Sequence, residues 1–131
     1  MKGTVAQMTV RRLTRVMLNF LLRGMQPSAD DIEPAEAHQR LSKGAMLIDV
    51  REVHEWVDGH VVGARHIPLG QLHQHLPKLP RDREILFICR SGNRSSSATA
   101  QAKRAGLQNA RNVRGGMQAW MQANLPSKRG K

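Results

Sequence analysis

The apolar and polar positions of the chain follow two different periods. Short runs rich in β-branched and aromatic side chains predict strands at residues 45–50, 65–67, 84–88 and 111–113. Segments with apolar residues at helical spacing predict helices at residues 35–43, 52–58, 69–75, 95–105 and 117–123. Strands that alternate with helices predict a single α/β domain, with a mostly parallel central sheet and helices on both faces.

Residues 1–29 have a different pattern from the rest of the chain. Their apolar side chains fall on one arc at helical pitch and their arginines gather on the other side, which predicts a basic amphipathic helix. The stretch Gln26-Pro27-Ser28 predicts a linker after it. The helix is too short and too charged to span a bilayer, and no small-x-small cleavage site follows it. Packing on the domain, adsorption to an anionic membrane surface, docking on a protein and organelle targeting all stay open.

The length of 131 residues fits one small domain. We place this domain at residues 30–125 and expect a frayed basic tail at residues 126–131. A single cysteine cannot form an internal disulfide, so the chain needs no oxidising compartment. We expect a cytoplasmic monomer, with peripheral membrane association through residues 1–29 as the alternative. The six histidines have no zinc-type spacing, and we expect neither a metal nor a cofactor.

Charge is distributed unevenly along the chain, whose net charge is +11. All ten acidic residues lie within residues 30–84, so residues 85–131 are cationic throughout. Such a segment attracts small anions and speeds their arrival. Nucleic acid is the rival partner, but no recognition motif accompanies the charge, and two Phe, two Trp and no Tyr make a poor stacking platform. We therefore do not expect specific nucleic-acid binding.

Cys89 lies where the predicted strand 84–88 ends and a polar, cationic loop begins. A cysteine at a strand end is often a small buried apolar residue. Here the N–H groups of residues 90–95, the predicted helix N-terminus, Arg90 and Arg94 together make an electropositive cradle. Such surroundings favour the thiolate, which is the form that a nucleophilic cysteine needs.

Four stretches in this order resemble the rhodanese-like sulfurtransferase family. They are residues 47–52 with Glu55 and Trp56, residues 59–69, the loop 89–96, and residues 113–117 with Trp120. Val62 departs from the pattern, because a proline is common there in the family. The resemblance implies a single rhodanese-like domain and a backbone approach of Gly115-Gly116 to the site.

The resemblance also implies that Cys89 takes sulfane sulfur from thiosulfate, or another persulfide donor, and passes it to a thiol or to cyanide. The loop residues that would hold the donor are Arg90, Ser91, Gly92, Asn93, Arg94 and Ser95. Arg90 is expected to steer the sulfonate group, while Arg94 either touches the donor or bonds carbonyls of the loop. Asp49, Arg51 and Glu55 are candidates for the pocket rim, where Glu55 could pair with Arg94.

Two alternatives to a thiosulfate sulfurtransferase stay open. A cysteine-dependent phosphatase of the same fold class places five residues between its cysteine and arginine, whereas four separate Cys89 from Arg94 here. This shorter loop suits a single sulfur atom better than a tetrahedral phosphate. The other alternative is a carrier module that receives sulfur from one protein partner and delivers it to another.

Overall fold

The computed structural model describes residues 28–131, so the amphipathic helix and most of the linker predicted for residues 1–29 lie outside the described residues. The described elements are, in order, β1 (Asp31–Ile32), α1 (Pro34–Leu41), β2 (Met46–Asp49), α2 (Val53–Asp58), β3 (His60–Val61), β4 (Arg65–His66), α3 (Leu69–His75), a 3₁₀ turn (Leu76–Lys78), β5 (Ile85–Ile88), α4 (Asn93–Arg104), β6 (Ala110–Val113), α5 (Gly116–Gln122) and β7 (Ser127–Lys128). No helix among residues 28–131 is long and apolar enough to cross a membrane.

Five parallel strands form the central sheet, in the order β1-β6-β5-β2-β4. Successive side chains of a strand point to opposite faces, so each face of the sheet has its own apolar layer. Ile48 and Phe87 belong to one layer and Leu47 and Leu86 to the other. Residues of α3 and α4 join the first layer, and residues of α1 and α5 join the second. The predicted α/β fold, with a mostly parallel sheet and helices on both faces, is confirmed.

The C-terminal segment is not the frayed end that its composition predicted. Strand β7 pairs antiparallel with β3, with Lys128 opposite His60. The Trp120 indole N–H donates to the Pro126 carbonyl at 3.1 Å, and the Gly130 N–H donates to the Val57 carbonyl at 2.8 Å. Apart from the indole, these bonds use backbone groups, so the basic side chains gave no sign of them.

Helix α4 begins at Asn93, two residues earlier than predicted. The serine hydroxyls that follow do not cap it, because Ser95 already lies in its first turn. Gly92 is the N-cap residue and has a φ of 110°, in the left-handed region that glycine adopts without strain. Glycine has no side chain, so the N-cap residue itself does not accept the usual capping bond at this end.

Candidate active site

The site lies where two neighbouring strands end. Asp49 at the end of β2 is in register with Ile88 at the end of β5, so Cys89 and Arg51 leave the sheet at the same edge. This edge is where ligands bind in open α/β sheets. The turn at Gly92 then leads the chain from Cys89 directly into α4.

The Cys89 sulfur lies at the N-terminus of α4 and accepts its hydrogen bonds. Cys89 is 1% exposed. Its Sγ atom accepts the Gly92 N–H at 3.1 Å and lies 3.2 Å from the Ser95 hydroxyl. The first N–H groups of a helix have no partner within the helix. The sulfur therefore occupies the place that a capping side chain would take.

Hydrogen bonding and burial act on the Cys89 thiol in opposite directions. Burial disfavours the charged thiolate and raises the pKa of the thiol. Bonds from the Ser95 hydroxyl and from the N–H groups of Ser95, Gly92 and Ser91 stabilise the thiolate and lower the pKa by more. The pKa of Cys89 therefore lies below its ordinary value, as nucleophilic chemistry requires.

A chain of polar groups leads from the sulfur to the far edge of the sheet. The Ser95 hydroxyl lies 2.6 Å from Asn112 Oδ1, and the Asn112 amide donates to Asp31 Oδ1 at 3.0 Å. Because serine has one proton, it donates either to Asn112 or to the Cys89 sulfur. Sequence reasoning missed Asn112, although a polar residue inside a predicted buried strand was a usable signal.

The backbone at Gly115-Gly116, the glycine wall, forms one side of the site. The Met117 N–H donates to the Cys89 carbonyl at 2.7 Å, and the Gln118 N–H donates to the Arg90 carbonyl at 3.1 Å. Gly116 has a φ of 58°, and a Cβ atom there would come within 2.6 Å of the Arg90 carbonyl oxygen. Only glycine allows the two backbones to come this close. This agrees with the approach of Gly115-Gly116 to the site that the family resemblance implied.

Arg94 faces Glu55 in α2. Its guanidinium donates two hydrogen bonds to that carboxylate, at 2.7 Å and 2.8 Å. These bonds from Arg94 lower the pKa of Glu55 to about 2, against a smaller opposing effect of burial. The same pairing raises the pKa of Arg94. The expected pairing of the two side chains is present, and no hydrogen bond from Arg94 to a loop carbonyl is found within residues 28–131.

Asp49 and Arg51 form a buried ion pair behind the loop. Arg51 donates to the Asp49 carboxylate from Nε and from a terminal nitrogen, the latter at 2.8 Å, and to the Gly59 carbonyl at 2.6 Å. Arg51 lines the cavity beside the loop, as expected of a rim residue. Asp49 does not, since it is 0% exposed. The prediction that Asp49 lies at the pocket rim is therefore wrong, because its carboxylate is buried and pairs with Arg51.

A cavity of about 830 Å³ opens next to the loop. Arg90, Glu55 and Arg51 line it, together with residues of α5 and of the C-terminal segment. Ser91 and Asn93 are exposed on the outer side of the turn. No cluster of three or more His, Cys, Asp or Glu side chains within residues 28–131 is placed to hold a metal ion. The site thus offers N–H groups, one thiol and arginines.

Comparison with known proteins gives relatives that contain the same domain. The chain is 38% identical over 99 residues to the probable adenylyltransferase/sulfurtransferase MoeZ of Mycobacterium tuberculosis, which covers 72% of this chain but 25% of MoeZ. It is 31% identical over 96 residues to the thiosulfate sulfurtransferase GlpE of Ectopseudomonas mendocina, which covers 73% of this chain and 87% of GlpE.

A solved structure has the same fold. A rhodanese-related protein from Thermoplasma volcanium superposes with a TM-score of 0.70 at 32% identity, covering 75% of this chain and 96% of that one. The sequence profile of the rhodanese-like domain matches residues 33–123, a range that holds four of the five strands of the central sheet, the cysteine loop and the glycine wall. With this match across most of its length, the chain belongs to the rhodanese-like domain family.

Proposed function

We propose that this chain is a sulfurtransferase that carries sulfane sulfur on Cys89. The observation that supports this most directly is the position of the Cys89 sulfur, which accepts the Gly92 N–H and lies 3.2 Å from the Ser95 hydroxyl at the N-terminus of α4. These donors lower the pKa of the thiol, and within residues 28–131 no side chain other than that of Ser95 is hydrogen-bonded to the sulfur. GlpE, which is similar over most of its length, is named a thiosulfate sulfurtransferase.

The proposed reaction has two displacement steps. The Cys89 thiolate attacks the outer sulfur of thiosulfate, the bond between the two donor sulfurs breaks, and sulfite leaves with the electron pair. A second nucleophile, such as cyanide or a thiolate, then attacks the terminal sulfur of the Cys89 persulfide and releases the thiolate. Charge and electrons balance in both steps, and the kinetics are ping-pong. Arg90 attracts the donor, and the N–H groups stabilise the terminal sulfur of the persulfide.

The position of Arg94 argues against phosphatase chemistry. An arginine that clamps a phosphate must direct its guanidinium at the anion. Here both terminal nitrogens of Arg94 are bound to Glu55. We therefore assign Arg94 to holding the helix that carries the donors to Cys89, and no phosphate step to the loop.

A carrier role stays the second candidate, and one observation favours it. MoeZ is named for two activities, and this chain spans a quarter of its length. In such an arrangement the Cys89 persulfide would pass its sulfur to a protein acceptor. The chemistry at Cys89 would be the same, and only the donor and the acceptor would differ.

Intact-mass measurement tests the proposal. After brief exposure to thiosulfate, we expect a species one sulfur atom heavier, which cyanide converts back and which Cys89→Ser does not form. Loading from a low-molecular-weight persulfide but not from thiosulfate would favour the carrier role. Failure to load from either donor would overturn both.

A further inference from the structure

The C-terminal segment brings two cations to the cavity that Arg90 of the cysteine loop lines. Lys128 lies in β7 and Arg129 follows it, and both line this cavity. The backbone of the segment is held on either side, by the pairing of β7 with β3 and by the bond from the Gly130 N–H to the Val57 carbonyl. The two side chains therefore project from a supported backbone.

Three of the cations that line the cavity have no acidic partner among residues 28–131. Arg90, Lys128 and Arg129 make no ion pair with any residue of the described range 28–131, and residues 1–27 contain no Asp or Glu. The fourth cation, Arg51, is neutralised by Asp49.

Two carboxylates line the same cavity. Glu55 is neutralised by Arg94, which leaves Asp58 against three free cations. The cavity is therefore positive in balance and suited to a ligand with more than one negative charge.

The cavity is also larger and more apolar than thiosulfate requires. Its volume of about 830 Å³ is in the range of pockets for organic ligands. Met117 and Met121 form part of its lining, and thioether side chains adapt well to carbon skeletons. Thiosulfate is a compact ion for which the loop and Arg90 suffice. Its binding leaves Lys128, Arg129 and the two methionines without a ligand.

We propose that this cavity binds an organic thiol, or the persulfide formed from it, that carries two or more carboxylates remote from its sulfur. Lys128 and Arg129 pair with the carboxylates and determine specificity, while Met117 and Met121 pack on the carbon skeleton. The proposal rests on sulfur transfer at Cys89. The bound thiolate attacks the terminal sulfur of the Cys89 persulfide, the existing S–S bond breaks, and Cys89 leaves as the thiolate. The product is the organic persulfide, and no oxidant or reductant is needed.

Glutathione and its diethyl ester are matched probes, since they share a skeleton and differ in two carboxylates. With persulfide-loaded protein at low salt, we expect glutathione to accept sulfur about five- to tenfold faster than the ester, as two exposed ion pairs would give. The preference should shrink as salt screens the charges. In the double variant Lys128→Gln, Arg129→Gln the ratio should fall to about one. The control double variant Lys43→Gln, Lys78→Gln loses the same charge outside the cavity and should keep the preference.

A binding measurement keeps the inference separate from the chemistry. S-Methylglutathione cannot accept sulfur, so its calorimetric titration reports binding whether or not Cys89 can be loaded. We expect it to bind more tightly than its diethyl ester, and the Lys128→Gln, Arg129→Gln variant to remove the difference. Thermal melting of each variant checks that β7 stays in place.

Three results with the small-molecule probes would overturn the inference. They are equal use of the acid and the ester by the unmodified protein, an unchanged preference in the double variant, and no binding of S-methylglutathione at millimolar concentration. Dependence on Lys128 and Arg129 for a protein acceptor alone would also overturn it, because the cations would then serve a protein surface. Failure of Cys89 to load with sulfur, in contrast, would overturn only the proposed function if S-methylglutathione still binds as expected.

Discussion

Arg94 holds the Glu55 carboxylate through two hydrogen bonds, at 2.7 Å and 2.8 Å, that join the first turn of α4 to α2. Helix α4 carries the donors to the Cys89 sulfur, and α2 buries none of its own residues. The pair therefore provides a direct connection between a surface helix and the helix that activates the thiol.

Loss of this pair should destabilise the protein. Glu55→Gln removes the charge, and we expect the free energy of unfolding to fall by about 1 kcal/mol at pH 7, because the pair is partly exposed. Urea denaturation measures this change. Asp82→Asn removes an exposed carboxylate that pairs with no residue in 28–131 and should leave stability nearly unchanged.

The stability that the Glu55–Arg94 pair contributes should depend on pH. The pKa of Glu55 is about 2 in the folded protein, against an ordinary value of 4.5. Because folding lowers this pKa, the pair contributes its full stability above pH 4.5, and this contribution is lost as the pH falls through about 2. The difference between the unmodified protein and Glu55→Gln should therefore narrow as the pH falls below 4.5. A difference that stayed constant down to pH 3 would contradict this account.

Removal of the Ser95 hydroxyl should make the Cys89 thiol less acidic. Ser95→Ala removes the strongest of the bonds that lower the pKa of Cys89, so the pKa should rise. The rate of iodoacetamide alkylation as a function of pH reports this, and at neutral pH we expect it to fall several-fold. Ser96→Ala makes the same change at an exposed position of α4 and serves as the control. Equal alkylation profiles for the two variants would count against a role of Ser95.

Arg90 should act on thiosulfate mainly through charge. With Arg90→Ala we expect the KM for thiosulfate to rise about five- to tenfold and its dependence on salt to flatten, with kcat little changed. Arg104→Ala loses the same charge at the exposed end of α4 and should have a smaller effect. A loss confined to kcat, with unchanged salt dependence, would instead assign Arg90 to the chemical step.

The glycine wall should not tolerate a side chain. Gly116→Ala places a Cβ atom against the backbone of Cys89 and Arg90 and forces a left-handed conformation on alanine. We expect the free energy of unfolding to fall by at least about 2 kcal/mol. Gly70→Ala is the control, because a Cβ atom there meets nothing within 4 Å and its φ is ordinary. Comparable denaturation curves for the two variants would be inconsistent with this packing.

The sequence predicted the main strands and the cysteine loop because their signals are local. The apolar run before Cys89 and the polar residues after it mark a strand end, and the structure places that end one residue before Cys89. The first residue of α4 was harder to predict from the sequence. Serines normally mark a helix start, but here the acceptor is the sulfur of Cys89, which no capping pattern includes.

Other parts of the site depend on contacts between distant residues. Strands β3 and β7 are two residues each, too short for a period to show, and they pair across more than half of the domain. Asn112 touches Ser95 and Asp31 only because β6 lies between β1 and β5. Neither relationship can be read from neighbouring residues, so the contribution of Lys128 and Arg129 to the cavity also went unpredicted.

Because the Cys89 sulfur is the acceptor for the first turn of α4, its reactivity belongs to the folded chain and not to the cysteine itself. When that turn opens, the sulfur loses its donors and becomes an ordinary thiol that is mostly protonated at neutral pH. A population of molecules with an open first turn would therefore hold a smaller fraction of thiolate at neutral pH, although their sulfur is more accessible. Exposure and thiolate content are thus opposed at this residue, and the pH dependence of alkylation reports on the integrity of one helical turn.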